Sequence, residues 1–105
     1  MKLAATKVFA SYINKVAKKK NIKAKAVFQK VGFHELNQDA VFDADNYGDV
    51  DYSNNTVKVI KILYPDEYYA CPQIITTSSI NNEAKRRKVK TPEALEELIA
   101  DLIKI

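Results

Sequence analysis

Glycine, proline and cysteine are scarce in this chain of 105 residues, which holds two, three and one of them respectively. So little glycine and proline argues against a linker-rich or low-complexity polypeptide. The single cysteine, Cys71, excludes an intramolecular disulfide framework and points to a reducing setting, cytoplasmic or otherwise intracellular. One histidine, His34, and one cysteine cannot complete a structural zinc site within one chain. No apolar run approaches the ~20 residues that span a bilayer, so no membrane partner is expected. The opening Met1-Lys2-Leu3-Ala4-Ala5-Thr6-Lys7 reaches a second lysine before an apolar segment can form, which argues against a secretory signal. Glycine-rich phosphate loops of the G-x-G-x-x-G and G-x-x-x-x-G-K-S/T types are missing, and no repeat of 20–50 residues is visible.

Acids are also missing from one third of the chain. Residues 1–34 hold nine lysines and no carboxylate, for a charge of +9. Residues 35–70 carry −6, residues 71–92 carry +4 and residues 93–105 carry −3, leaving +4 overall. Two arrangements are compatible with these blocks. An open basic face would serve an anionic partner, whereas an acidic middle folded onto the basic start would leave a mixed surface.

What remains is ordinary for a globular chain, with 47% hydrophobic and 29% charged residues. The length suits one small domain over residues 1–105. Ala5, Val8, Phe9, Tyr12, Ile13 and Val16 recur at helical steps, which predicts an amphipathic helix over 3–19. Lys18, Lys19 and Lys20 would crowd its C-terminal turn, where cations suit the helix dipole. Ala24, Val27, Phe28 and Val31, followed by Gly32, favour a second helix; a strand with Ala24, Ala26 and Phe28 on one face is the rival. Phe33, Leu36, Ala40 and Val41 extend the helical region, or a strand starts at 40–44. Residues 43–55 read as an acidic loop. The run 56–64 is the best strand, with Lys58 outward and Lys61 a second outward candidate. Pro65-Asp66-Glu67 supplies a turn into a second, antiparallel strand from Tyr68 to Thr77, which Pro72 restricts to an edge or a bulge. Residues 78–90 read as a polar and then basic loop. Thr91-Pro92-Glu93 opens a last helix with the stripe Leu95, Leu98, Ile99, Leu102 and Ile103. The expected fold is α+β, with amphipathic N- and C-terminal helices packed on a small antiparallel hairpin or meander.

Three constellations bear on chemistry. Asp43-Ala44-Asp45-Asn46-Tyr47-Gly48-Asp49-Val50-Asp51 resembles the start of an EF-hand or dockerin-type calcium loop, with acids at loop positions one, three and nine and glycine at six. Tyr47 stands where the pattern has a ligand, and Asn54 where it has the closing glutamate, so a solvated acidic loop is the preferred reading and no metal or cofactor is expected. Pro65-Asp66 followed by Glu83-Ala84-Lys85 resembles the PD…ExK pattern of a nuclease superfamily. That resemblance implies Mg²⁺ on Asp66 and Glu83 and a water oriented by Lys85. The pattern places ExK on an apolar strand, and here Ser79-Ile80-Asn81-Asn82 precedes it; a turn and a charged loop fit better. His34 and Cys71 form a nucleophilic pair only if folding joins them, and no orienting third group is identifiable.

The basic runs carry the functional reading. Lys18, Lys19, Lys20, Lys23 and Lys25 form one cluster; Lys85, Arg86, Arg87, Lys88 and Lys90 form the other and also resemble a monopartite nuclear-import signal. Clustered cations gain affinity for a phosphate backbone through counterion release. Tyr47, Tyr52, Tyr64, Tyr68 and Tyr69 lie among acids that repel phosphate, which suits a protein partner. The expected function is a non-catalytic binding module for nucleic acid or nucleoprotein. The alternative is a protein-binding adaptor or inhibitor using the acidic, tyrosine-rich loops, and a Mg²⁺-dependent nuclease is the remote one.

Overall fold

The most β-branched run of the chain becomes the centre of a sheet. In the computed structural model, which describes residues 5–65 and 72–104, Thr56–Leu63 forms strand β3. Strand β1 (Lys25–Gly32) pairs with it antiparallel along its whole length, Lys25 opposite Leu63 and Gly32 opposite Thr56. The other edge of β3 is shared by two short antiparallel strands. Strand β2 (Val50–Asp51) takes Val57 and Thr56, and β4 (Gln73–Ile75) takes Ile62 to Ile60. Helices α1 (Thr6–Lys19), α2 (Gln38–Asp45), α3 (Thr77–Arg86) and α4 (Pro92–Ile103) complete the α+β fold, with a single 3-10 turn at Phe33–Glu35.

Both faces of β3 are covered, which explains why apolar residues point to each side of the strand. On one face Ala26, Ile60, Ile62 and Ile75 pack against Phe9, Ile13 and Val16 of α1, Ile80 and Ala84 of α3, and Leu98, Ile99 and Ile103 of α4. On the other, Val31, Val57 and Val59 meet Ala44 of α2, flanked by Phe33, Leu36 and Val41. Lys58 is exposed, and Lys61 is half-buried beside Glu35.

The terminal helices and the β3 strand lie where the periodicity places them. The later strand survives as Gln73–Ile75, an edge strand entered directly after Pro72; Thr76 and Thr77, expected to end it, instead cap and begin α3, and residues 68–71, including Tyr68 and Tyr69, lie outside the described residues. Two expectations are corrected. The segment 24–31 is a strand rather than a helix, because β1 is buried on both sides: Ala26 faces the helices and Val31 faces α2, so the alternation is hidden. The segment 78–90 is mostly helix α3 rather than loop. Its apolar stripe is short, Ile80 and Ala84, with buried Thr77, Ser78 and Asn81 completing the inner face. The acidic stretch from 43 likewise begins inside α2, and Gly48 makes the following turn at φ +73°.

Side-chain caps define the starts of α2, α3 and α4. Asn37 accepts from the Ala40 N–H at 2.7 Å, Thr76 from that of Ser79 at 3.1 Å, and Thr91 from that of Ala94 at 3.1 Å. Pro92 occupies the first turn of α4, where its missing N–H costs nothing. Thr91→Ala is expected to lower stability by about 1 kcal/mol. Urea denaturation checks this, and an unchanged midpoint would show that the cap contributes nothing.

Asn14 of α1 guards the outer edge of β1. Its side-chain amide donates to the Ala26 carbonyl at 2.8 Å and accepts from the Ala26 N–H at 2.7 Å. This pairing satisfies backbone groups that an edge strand leaves open. It also fixes the end of α1, and hence its lysines, against the sheet.

Candidate anion-binding surface

Both basic clusters sit on the same local structure. Helix α1 runs into Ala17-Lys18-Lys19-Lys20-Asn21-Ile22-Lys23, and α3 runs into Ala84-Lys85-Arg86-Arg87-Lys88-Val89-Lys90. In each, the fifth residue is left-handed, Asn21 at φ +56° and Lys88 at φ +55°. In each, the next N–H returns to the buried alanine carbonyl: Ile22 to Ala17 at 2.8 Å and Val89 to Ala84 at 2.9 Å. The left-handed residues bond back as well, Asn21 to Lys18 and Lys88 to Lys85, both at 3.2 Å. These are Schellman closures, in which the following apolar residue packs on the core. Ile22 and Val89 do so. The likeness is spread over the length of a domain and rests on side-chain class, so repeat-scanning at 20–50 residues passes over it.

The two ends are tied to one helix. Lys19 reaches both carboxylate oxygens of Glu96, at 3.0 and 3.1 Å, and Lys20 pairs with Glu97. Arg87 pairs with Asp101 at 2.8 Å. Thus the third cation of each run meets an acid of α4, one turn apart on that helix. Arg86 and Arg87 also share Glu83. The Arg86 guanidinium, and then that of Arg87, holds the Glu83 carboxyl down at about 2. The hydrogen bond to Glu97 pushes the Lys20 ammonium above its ordinary value. All these pairs are exposed, so each contributes little stability alone. Their consequence is a division of labour: Lys19, Lys20, Arg86 and Arg87 are held by the chain's own acids.

Lys18, Lys23, Lys25, Lys85, Lys88 and Lys90 are exposed and make no ion pair among the described residues. Three of them gather. A cleft of about 480 Å³ at the end of α3 is lined by Asn81, Ala84, Lys85, Lys88, Val89 and Lys90, with no carboxylate among the described residues. The corresponding cleft at the end of α1, about 310 Å³, takes Lys20, Lys23 and Lys104 together with apolar Ile22, Tyr64 and Ile103. A third cleft of about 330 Å³ lies beside the β2–β3 turn and is mixed in sign, with Lys30 and Lys58 facing Asp49 and Asp51.

The described tyrosines Tyr47, Tyr52 and Tyr64 differ in their settings, and Tyr68 and Tyr69 lie outside the described residues. Tyr64 is half-buried, and its hydroxyl donates to the Ile103 carbonyl at 3.0 Å, which makes it a brace for α4; burial pushes its pKa up. Tyr52 is 61% exposed and stands edge-on to Phe33, its pKa raised by a hydrogen bond to Asp45. Tyr47 is also exposed. Sequence reading missed Phe42, which is 71% exposed on α2, because helical spacing placed it neither in a stripe nor in a motif.

The acids of 43–51 disperse. Asp43 and Asp45 lie on α2, Asp49 turns inward to the hydroxyls of Thr6 and Thr77, and Asp51 accepts from the N–H groups of Ser53 and Asn54 and the side chain of Asn54. That last set, led by the Asn54 side chain, holds the Asp51 carboxyl below its usual range. Among the described residues, no group of three or more His, Cys, Asp or Glu side chains gathers for a metal ion. Glu83 and Lys85 of the nuclease-like pattern lie on helix α3 rather than on a strand, Glu83 is engaged by two guanidinium groups, and Asp66 lies outside the described residues. His34 lies over Gly32, where a Cβ would come within 2.6 Å of its ring; Cys71 lies outside the described residues. Comparison with protein-family models, curated proteins and solved structures finds no match to this chain.

Proposed function

We propose that this chain is an intracellular, non-catalytic binding module for a nucleic-acid backbone, contacted through the lysines that its own acids leave free. The observation that carries this reading is the cleft at the end of α3, where Lys85, Lys88 and Lys90 stand together with no carboxylate among the described lining residues. Lys18 and Lys23 at the end of α1 and Lys25 at the start of β1 extend the contact. Lys19, Lys20, Arg86 and Arg87 brace the helix ends instead of binding. Each ammonium that neutralises a phosphate releases condensed counterion, so the affinity is steep in salt and carries little sequence preference. No helix among the described residues is long and apolar enough to cross a membrane.

Binding of labelled single- and double-stranded oligonucleotides across a salt series tests this. Replacing Lys85, Lys88 and Lys90 together by glutamine should reduce the duplex salt slope by up to about 2.7 units. Replacing Arg86 and Arg87 should change it less, because both guanidinium groups already hold carboxylates. A slope unmoved by the triple lysine change removes this cleft from the interface.

A second reading rests on Phe42. An exposed phenylalanine on α2 beside Asp39, Asp43 and Asp45, with Tyr47 and Tyr52 exposed nearby in the chain, suits a protein partner. Failure of the native protein to bind any oligonucleotide at low salt would favour this surface.

A further inference from the structure

The twin helix ends differ in side-chain class at one position, and that difference bears on the ligand. The left-handed C′ site favours glycine, then asparagine, because a Cβ there meets the neighbouring carbonyl. Helix α1 has the favoured Asn21; α3 has Lys88 at φ +55°. A longer aliphatic side chain is thus held in a sparsely populated conformation, in the middle of a cleft whose other cations are Lys85 and Lys90. Strain retained at one of two otherwise matching positions marks a residue kept for what its side chain does.

Charge narrows the chemistry. The C-terminus of α3 carries about half a negative charge, and its Glu83, Ala84 and Lys85 carbonyls already accept closing bonds. Glu83 and Asp101 are matched by Arg86 and Arg87. Three ammonium groups therefore dominate a small space. A phosphodiester brings one negative charge, whereas a phosphomonoester brings about −1.5 to −2 at neutral pH and three acceptor oxygens. We infer that the α3-end cleft is a seat for a phosphomonoester, with Lys88 as its specificity-determining contact, and that the phosphate is the terminal group of a nucleic-acid strand. This inference rests on the backbone-binding reading and sharpens it from any phosphate to an end.

The experiment compares one oligonucleotide carrying hydroxyl ends with the same strand phosphorylated at its 5′ or 3′ end. The native protein should bind a phosphorylated form about tenfold more tightly. That preference should fade as pH falls from 7.5 to 5, where the monoester loses its second charge near pH 6. Lys88→Gly should abolish the preference and raise Tm by about 4 °C through relief of the left-handed strain. Lys88→Arg should keep the preference, and Lys7→Gln, which removes one exposed charge outside the proposed contact, should leave it intact. Inorganic phosphate should compete with the labelled phosphorylated strand only at millimolar concentration; competition at micromolar concentration would identify free phosphate as the ligand and overturn the strand-end assignment. Equal binding of hydroxyl and phosphorylated ends would overturn the inference while leaving backbone binding in place. A preference that survives Lys88→Gly would place the seat elsewhere and overturn it too. No binding of any strand would remove both readings.

Discussion

Ile60→Ala should lower the unfolding free energy by about 4 kcal/mol, close to the upper range for such a truncation. Ile60 is fully buried on β3, opposite Phe28 of β1 and Ile75 of β4, and its face is roofed by α1, α3 and α4. Truncation removes three carbons from a site walled by strands on both sides. Those strands are held by backbone pairing, so the walls have little freedom to close over the cavity. For a domain of this size the loss corresponds to a Tm lower by roughly 20 °C. Ile60→Val, which leaves a smaller void, should cost about 1 kcal/mol. Urea denaturation of both variants checks the pair. An Ile60→Ala loss below about 1 kcal/mol would show that β3 is not the tightly walled centre described above. The prediction matters for the surface as well, since β3 is the element on which the helices bearing the lysines are assembled.

The legible parts of this fold were those with one buried face. Helix α1 shows a stripe because Phe9, Ile13 and Val16 meet the sheet while Lys7, Lys15 and Lys18 face water, although Ala5 and Val8 of that predicted stripe are exposed. Helix α4 announces itself through Thr91, Pro92 and its leucine–isoleucine ladder. Strand β1 is different. Val27 and Phe28, adjacent and both half-buried, face opposite layers, so spacing alone fits a helix as well as a strand. Helix α3 fails for another reason. Thr77, Ser78 and Asn81 are buried polar residues satisfied by one another's neighbours, and a hydropathy reading takes buried threonine for a loop. The Thr76 and Ser79 pair was the usable signal, since each side chain accepts from the other's N–H.

The candidate surface was half legible. Clustered lysine and arginine are visible in any reading, but which cations remain free depends on acids distant in the chain. Glu96 and Glu97 stand 77 positions after their lysine partners. Among the described residues the acidic middle does not pair with the basic start: Glu83 and the acids of α4, rather than those of the 35–70 block, pair with Lys19, Lys20, Arg86 and Arg87, and the outer lysines make no ion pair among the described residues. The matching Schellman ends became apparent only with the left-handed residues in view. Side-chain class is similar at both ends, yet the contrast on which the phosphomonoester proposal rests is between Asn21 and Lys88 in one backbone conformation.

Asp49→Ala should cost about 3 kcal/mol, a large effect for one exposed-type residue. Asp49 is only 7% exposed, and its carboxylate accepts from the Thr6 hydroxyl at 2.9 Å and from the Thr77 hydroxyl. Those threonines are the first residues of α1 and α3, so one carboxylate faces the positive ends of two helices. Its own backbone carbonyl meanwhile accepts from the Lys58 N–H at 2.8 Å, which joins both helix starts to the central strand. Alanine would leave two buried hydroxyls unpaired and two helix ends uncompensated. Asp49→Asn retains an acceptor oxygen and the shape, and should cost about half as much. The decisive variant combines Asp49→Ala with Thr6→Val and Thr77→Val. With no stranded hydroxyl left, its loss should fall well short of the sum of the three single losses. Denaturant midpoints measure every variant, and strict additivity would show that the three side chains do not act as one network. Since Thr77 begins the helix that ends at Lys85, Lys88 and Lys90, Asp49→Ala should also weaken oligonucleotide binding without altering its salt slope. That combination separates loss of the scaffold from loss of a contact.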